Sequence, residues 1–179
     1  MANRPREIVL SMDDLRAVTG YAAACAQNAL EIFENAHPAD SGPREAIEAA
    51  WTFARGGKRG KTLRDTAWAA LRAAGEANTA AAGDAARAAM AAASAAWLHP
   101  LADAHQVKHV LGAAAHAARA AERLAGDDRA VGADHLERAR RRATPLVVDV
   151  LSRYPAAPSG GGRIGELIRA LDEALRRGS

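Results

Sequence analysis

A single cysteine and only seven aromatic residues occur among 179. One thiol cannot make an internal disulfide, so nothing here asks for an oxidising compartment. Cys25 sits among alanines and reads as a small buried hydrophobe rather than a nucleophile, since no basic neighbour in sequence would lower its pKa. Also missing is any apolar run of about 18 residues free of charge, the length a membrane helix needs. The N-terminus, Met-Ala-Asn-Arg-Pro-Arg-Glu, lacks the apolar segment of a signal peptide. A soluble, cytoplasmic protein is the expectation. Excess charge of one sign is small: 24 Lys and Arg stand against 21 Asp and Glu, a formal net of +3. Nucleic-acid binders usually concentrate a larger excess. The tight basic runs, 55–61 and 138–142, read as an exposed turn and a helix end, which argues against nucleic acid as a partner. The nucleophile elbow, the P-loop and the dinucleotide fingerprint are all absent.

What is present is alanine, 49 residues of it. Alanine is the best helix former and costs no side-chain entropy. It buries little area per residue, so stability has to come from close helix packing over many contacts. The fold class is therefore all-α: a single-domain bundle of six to seven helices over residues 11–177, after a disordered segment 1–10.

Start and stop signals place the helices. Ser11 with Asp13 and Asp14 opens the first, which runs to His37-Pro38 at about residue 36. Pro43 opens a second, 44–55, and Gly56-Gly57 ends it. Further helices are expected at 61–74, 76–98, 100–125, 133–152 and 163–177. Gly75 is a candidate break, Pro100 a candidate opener, and the Pro/Gly stretch 155–162 a loop. The last helix carries Ile164, Leu167, Ile168, Leu171 and Leu175 at core spacing.

Four of the six histidines fall close together: His99, His105, His109 and His116. At about 100° per residue, the last three lie within roughly 40° on one helical stripe. Val107, Val110, Leu111, Ala114, Ala118 and Ala121 form the opposite, core-facing stripe. Arg119, Arg123 and Gly112 share the histidine face. Such a face admits three readings. It can be solvated surface. It can be a binding face of His105, His109, His116, Arg119 and Arg123 that suits an acidic partner, with Gly112 letting a second backbone come close. It can also be an acid/base or metal site in a small-molecule enzyme, built from His99, His105, His109 and His116, with Glu34 and His37 as complements. Glu34-Asn-Ala-His37 has the spacing of di-iron bundles, but that motif normally occurs twice within helices, and two arginines would repel a cation. No metal or other cofactor is indicated. Self-association through exposed alanine-rich helices is a further expectation.

Several strings together resemble a known family. They are Ser11-Met-Asp-Asp-Leu15; Phe33-Glu-Asn-Ala-His-Pro38 with Pro43-Arg44 and Ala46-Ile47; and Trp97-Leu-His-Pro-Leu101. Further on come Lys108-His-Val-Leu-Gly112 with Ala114-Ala-His116, Arg142-Ala-Thr-Pro145 and Arg153-Tyr-Pro155. In this order they resemble an actinobacterial immunity-protein family with immunity-family-five-like domains, over about residues 11–176. The resemblance implies a small soluble helical protein that binds a cognate toxin in the producing cell and blocks it. It carries over no catalytic residue.

Overall fold

A computed structural model describes residues 6–178. Local signals in the sequence explain most of its elements. Ser11 opens α1 (Met12–Gln27) with a capping box. Its Oγ accepts from the Asp14 N–H at 3.0 Å, and the Asp14 carboxylate accepts from the Ser11 N–H at 2.9 Å. The expected single helix to residue 36 is interrupted. Asn28 and Ala29 donate to carbonyls three residues back, and this tighter turn separates α2 (Leu30–Ala36) from α1. Next come α3 (Gly42–Ala54) and α4 (Lys61–Glu76), and Gly75 lies inside α4 without breaking it.

The Thr79 hydroxyl caps α5 (Ala80–Ser94), accepting from the Ala82 N–H at 3.1 Å. A 3-10 turn, Ala95–Trp97, follows. Pro100 does not open a helix. Residue 101 instead forms an antiparallel bridge to Glu7, flanked by hydrogen bonds from the Ile8 N–H to the Pro100 carbonyl (3.0 Å) and from the Ala102 N–H to the Arg6 carbonyl (2.8 Å). Ile8 is buried by this strap. Of the segment 1–10 expected to be disordered, residues 6–10 are thus held against the bundle, and 1–5 lie outside the described residues.

A second 3-10 turn, Ala104–Gln106, leads into α6 (Val107–Leu124). The helix expected over 133–152 is two: α7 (Arg129–Arg142) and α8 (Pro145–Ser152). Thr144 and Pro145 make the break. Thr144 is extended, as a residue before proline prefers, and its hydroxyl accepts from the Val147 N–H at 3.3 Å. The chain closes with α9 (Gly162–Arg177). Nine α-helices and no sheet occur among the described residues, against the six to seven helices expected.

The alanine-rich helices α5 and α6 lie side by side at the centre. Helices α1 to α4 pack on the α5 side and α7 and α9 on the α6 side, while α1 spans both. Buried alanines line both members of the pair: Ala85, Ala88, Ala89 and Ala92 in α5; Ala113, Ala114, Ala117 and Ala120 in α6. Small side chains let two backbones approach closely, so packing density replaces side-chain bulk. Larger groups, among them Phe33, Ile47, Phe53 and Leu111, fill the space around that pair. The expectation of exposed alanine-rich helices does not hold, because α5 and most of α6 are interior. No helix among the described residues is long and apolar enough to cross a membrane.

Candidate functional site

The position of α6 decides what its histidines and arginines can do. The apolar stripe is buried as expected: Val107, Val110, Leu111, Ala114, Ala118 and Ala121 are all in the interior. The opposite face is mixed: Lys108 and Arg123 are exposed, and His109, His116 and Arg119 are half-buried. Ala113 and Ala120, which flank the histidine stripe at about 60–80° on the wheel, are inaccessible, and so is Gly112. The proposed stripe is therefore not one open face. The structure divides it into three local settings.

At the C-terminal half, α5 supplies a buried carboxylate, Asp84. His116 places Nδ1 3.3 Å from Asp84 Oδ1, and Arg123 places Nε 3.0 Å from Oδ2. A carboxylate only accepts, so the imidazole acts through its Nδ1–H form. One turn away in space, Glu122 is wholly buried between two guanidiniums. Arg119 Nη1 donates to its Oε2 at 2.9 Å, and Arg163 of α9 grips it through Nε (3.1 Å) and Nη2. Arg119 also pairs with Asp127 at 2.8 Å. Burial pushes the Glu122 carboxyl up, but hydrogen bonds and charge from Arg163 and Arg119 outweigh it and hold the pKa below the ordinary carboxylate value. Helix α7 passes directly over this group at Gly132, where a Cβ would overlap the Glu122 carboxylate. His116, Arg119 and Arg123 are thus committed to internal ion pairs.

At the N-terminal end, His105 is exposed in the 3-10 turn and shares a cavity of about 220 Å³ with Lys108, Pro158 and Ile164. His109 is half-buried, and burial, then the charges of Lys108 and His99, holds its pKa below the usual histidine value. The backbone of His99 is tied down at both ends. Its N–H donates to Gln106 Oε1 at 3.0 Å, and its carbonyl accepts from the Tyr154 hydroxyl at 2.8 Å.

The proposed complements are occupied elsewhere. Glu34 makes a bidentate pair with Arg44, at 2.6 and 2.8 Å. His37 Nε2 accepts from the Asn78 N–H at 3.1 Å, and its ring stacks on Phe33 at 5.0 Å. The His37 side chain therefore ties α2 to the approach to α5, while its backbone N–H closes α2 on the Phe33 carbonyl at 2.8 Å. Among the described residues, no group of three or more His, Cys, Asp or Glu side chains could hold a metal ion. The Cys25 thiol is buried, and burial pushes its pKa up to about 11, which fits the structural reading of that residue.

A different surface stands out. On the outer face of α4, Trp68 is 62% exposed and Leu71 38% exposed. With Met90 and Trp97 they line a groove of about 230 Å³ between α4 and the end of α5. Arg59 and Arg64 hold their guanidinium carbons 4.9 and 5.2 Å from the Trp97 ring centre. Neither has a carboxylate partner among the described residues, and neither does Arg72 one turn beyond Trp68. The signal was available in the sequence. Lys61, Arg64, Trp68, Leu71 and Arg72 fall within about 100° on the α4 wheel, which puts a tryptophan on a polar face where the core does not need it.

Among the described residues, nine helices wrap round an alanine-rich pair, and the buried carboxylates Asp84 and Glu122 are taken up in ion pairs. In sequence, the model of the "Imm-5 like putative immunity protein" family matches residues 9–144, and the chain belongs to that family. The match runs from α1 through α7. It ends at the Thr144 break, so the Arg153-Tyr-Pro155 string and α9 lie beyond it. No curated protein and no solved structure matches the chain.

Proposed function

We propose that this protein is an immunity factor that binds a cognate protein toxin in the cytoplasm and neutralises it by covering a surface the toxin needs. Family membership over 136 residues, the whole of α1 to α7, is the observation that carries the reading. The geometry supports it in one further respect. The bundle is rigidified from inside by the Asp84 and Glu122 ion clusters, which leaves the outer helices free to present a preorganised surface. Preorganisation is what lets a modest interface bind tightly. Of the five residues of the expected contact face, His105, exposed in the 3-10 turn before α6, is available to a partner. His116, Arg119 and Arg123 act by holding the body together through Asp84 and Glu122.

The test is co-expression with the toxin encoded by the reading frame adjacent to its gene. Rescue of growth, together with a stoichiometric complex in size-exclusion chromatography, is expected. Toxicity unrelieved and no complex at micromolar concentration would refute the reading.

A further inference from the structure

We propose that the groove between α4 and the end of α5 is the docking surface for an acidic protein partner. An apolar side chain of that partner would seat on Trp68, Leu71 and Met90, and its carboxylates would reach Arg59, Arg64 and Arg72. The proposal rests on the immunity reading above and names the surface through which it operates.

Three observations converge on it. First, the exposed tryptophan has no structural use. Helix α4 is held through Leu63, Ala70, Ala73 and Ala74 on its inner side, packed on α3 and α5, while Trp68 points away from them. Exposed Trp and Arg beside a half-buried Met match the composition of binding hot spots rather than of ordinary surface. Second, its arginines lack acids: Asp65 on the same helix pairs with Lys61, and Arg59 donates only to the Ala96 carbonyl, at 3.1 Å. Two guanidiniums share one indole ring, and neither they nor Arg72 meets a carboxylate among the described residues. Several arginines elsewhere in the molecule do find acids, for example Arg123 with Asp84, Arg140 with Glu137 and Arg153 with Asp14. Like charges held this close are stabilised by an anionic partner, and such complementarity steers association as well as register. Third, the groove is small. At about 230 Å³ it lies under the roughly 300–1,000 Å³ of small-molecule sites and suits one or two side chains of a protein.

The experiment compares wild type with Trp68→Asp, Arg64→Glu and Trp68→Phe, using the adjacent-frame toxin as one probe. A short acidic peptide with a central Leu-Phe pair is a second, toxin-independent probe. Trp68 is exposed, so circular dichroism should show all variants folded. Trp68→Asp should weaken toxin binding by about 30-fold or more, the hot-spot threshold. Arg64→Glu should slow association and flatten its salt dependence, and Trp68→Phe should keep most of the affinity. Tight toxin binding that Trp68→Asp leaves unchanged overturns the docking surface and spares the immunity reading. A toxin that does not bind, with a peptide that still perturbs Trp68 fluorescence in a salt-sensitive way, sinks the immunity reading and keeps the surface. Silence from both probes ends both. A wild-type dimer that Trp68→Asp dissolves, or duplex DNA binding lost in Arg64→Glu, would assign the groove to a second copy or to nucleic acid and overturn the proposal.

Discussion

Replacing Glu122 tests whether the ion cluster at the heart of the bundle holds it together. The carboxylate is fully buried and accepts from Arg119 and from two nitrogens of Arg163. Removing one member of a buried charge cluster leaves the others uncompensated, which costs about 3–5 kcal/mol. Here Arg119 and Arg163 retain some access to water, with 17% and 22% of their side chains exposed. The lower end applies, so Glu122→Ala should destabilise by about 3 kcal/mol. For a chain of this length that lowers Tm by about 6–12 °C. Glu122→Gln keeps the volume but turns an acceptor into an amide facing two donors, and should cost about 2 kcal/mol. The pH dependence has a definite sign. Burial opposes ionisation of Glu122, but Arg163 and Arg119 bring its folded pKa below the ordinary glutamate value of 4.5. Its contribution is therefore complete above about pH 4.5 and is lost as pH falls through the lower folded value. Urea titrations at pH 7, 5, 4 and 3 should show the gap between wild type and Glu122→Gln narrowing as acid is added. Taking the difference removes the parallel contribution of Asp14, which Arg153 also keeps below the usual carboxylate range although burial opposes it. A Glu122→Gln protein within about 0.5 kcal/mol of wild type at pH 7, the range of ordinary surface changes, would refute the reasoning. So would a gap that stays constant with pH.

Other expectations follow from single contacts. Gly112→Ala should stabilise by about 0.5–1 kcal/mol, because a Cβ there meets Ala91 at an ordinary 3.8 Å and helix interiors prefer alanine; a loss on thermal melting would show that the spacing of α5 and α6 is tighter than described. Gly132→Ala should destabilise by about 1–3 kcal/mol or more, since its methyl displaces Glu122, and chemical denaturation compares the two glycines directly. Thr144→Ala should cost about 1 kcal/mol by removing the cap of α8, while Thr144→Ser should keep most of it. The Cys25 thiol, buried and shifted to about 11, should resist alkylation at pH 8 in the native protein and react promptly in urea; fast native labelling would contradict its burial.

Helix content and several boundaries were legible in the sequence because they rest on local chemistry. The Ser11 cap, the His37-Pro38 stop and the core stripe of α6 all follow from neighbours within a few residues. The break at Asn28–Ala29 was not legible, since a single asparagine in an alanine-rich run gives no strong stop signal. Thr144-Pro145 was legible in principle, as a cap followed by a first-turn proline, but the apolar run after it reads equally well as a continuation. The face of α6 was misjudged for a different reason. A wheel records which side chains are apolar, but alanine and glycine count weakly, so a face of Ala113, Ala120 and Gly112 around three histidines looks wholly polar when part of it is interior. Asp84, the acid that takes up His116 and Arg123, comes from tertiary packing that no spacing rule reveals, whereas Arg119 and Glu122 are an i,i+3 pair readable along α6. Trp68 was readable as an outlier on its helix, and its groove partners Met90 and Trp97 become neighbours only when α5 folds against α4.

The alanine lining between α5 and α6 bears on how such a protein changes over generations. An alanine-on-alanine contact has no room to grow, and each enlargement there forces the two helices apart at about 1–3 kcal/mol. On the outside of α4 nothing comparable applies, because Trp68 and Leu71 border solvent. Geometry thus partitions mutational freedom, with an inner pair frozen at fixed spacing and an outer helix open to exchange. A lineage that has to keep pace with a changing adversary can rewrite that outer face while its scaffold stays as inherited.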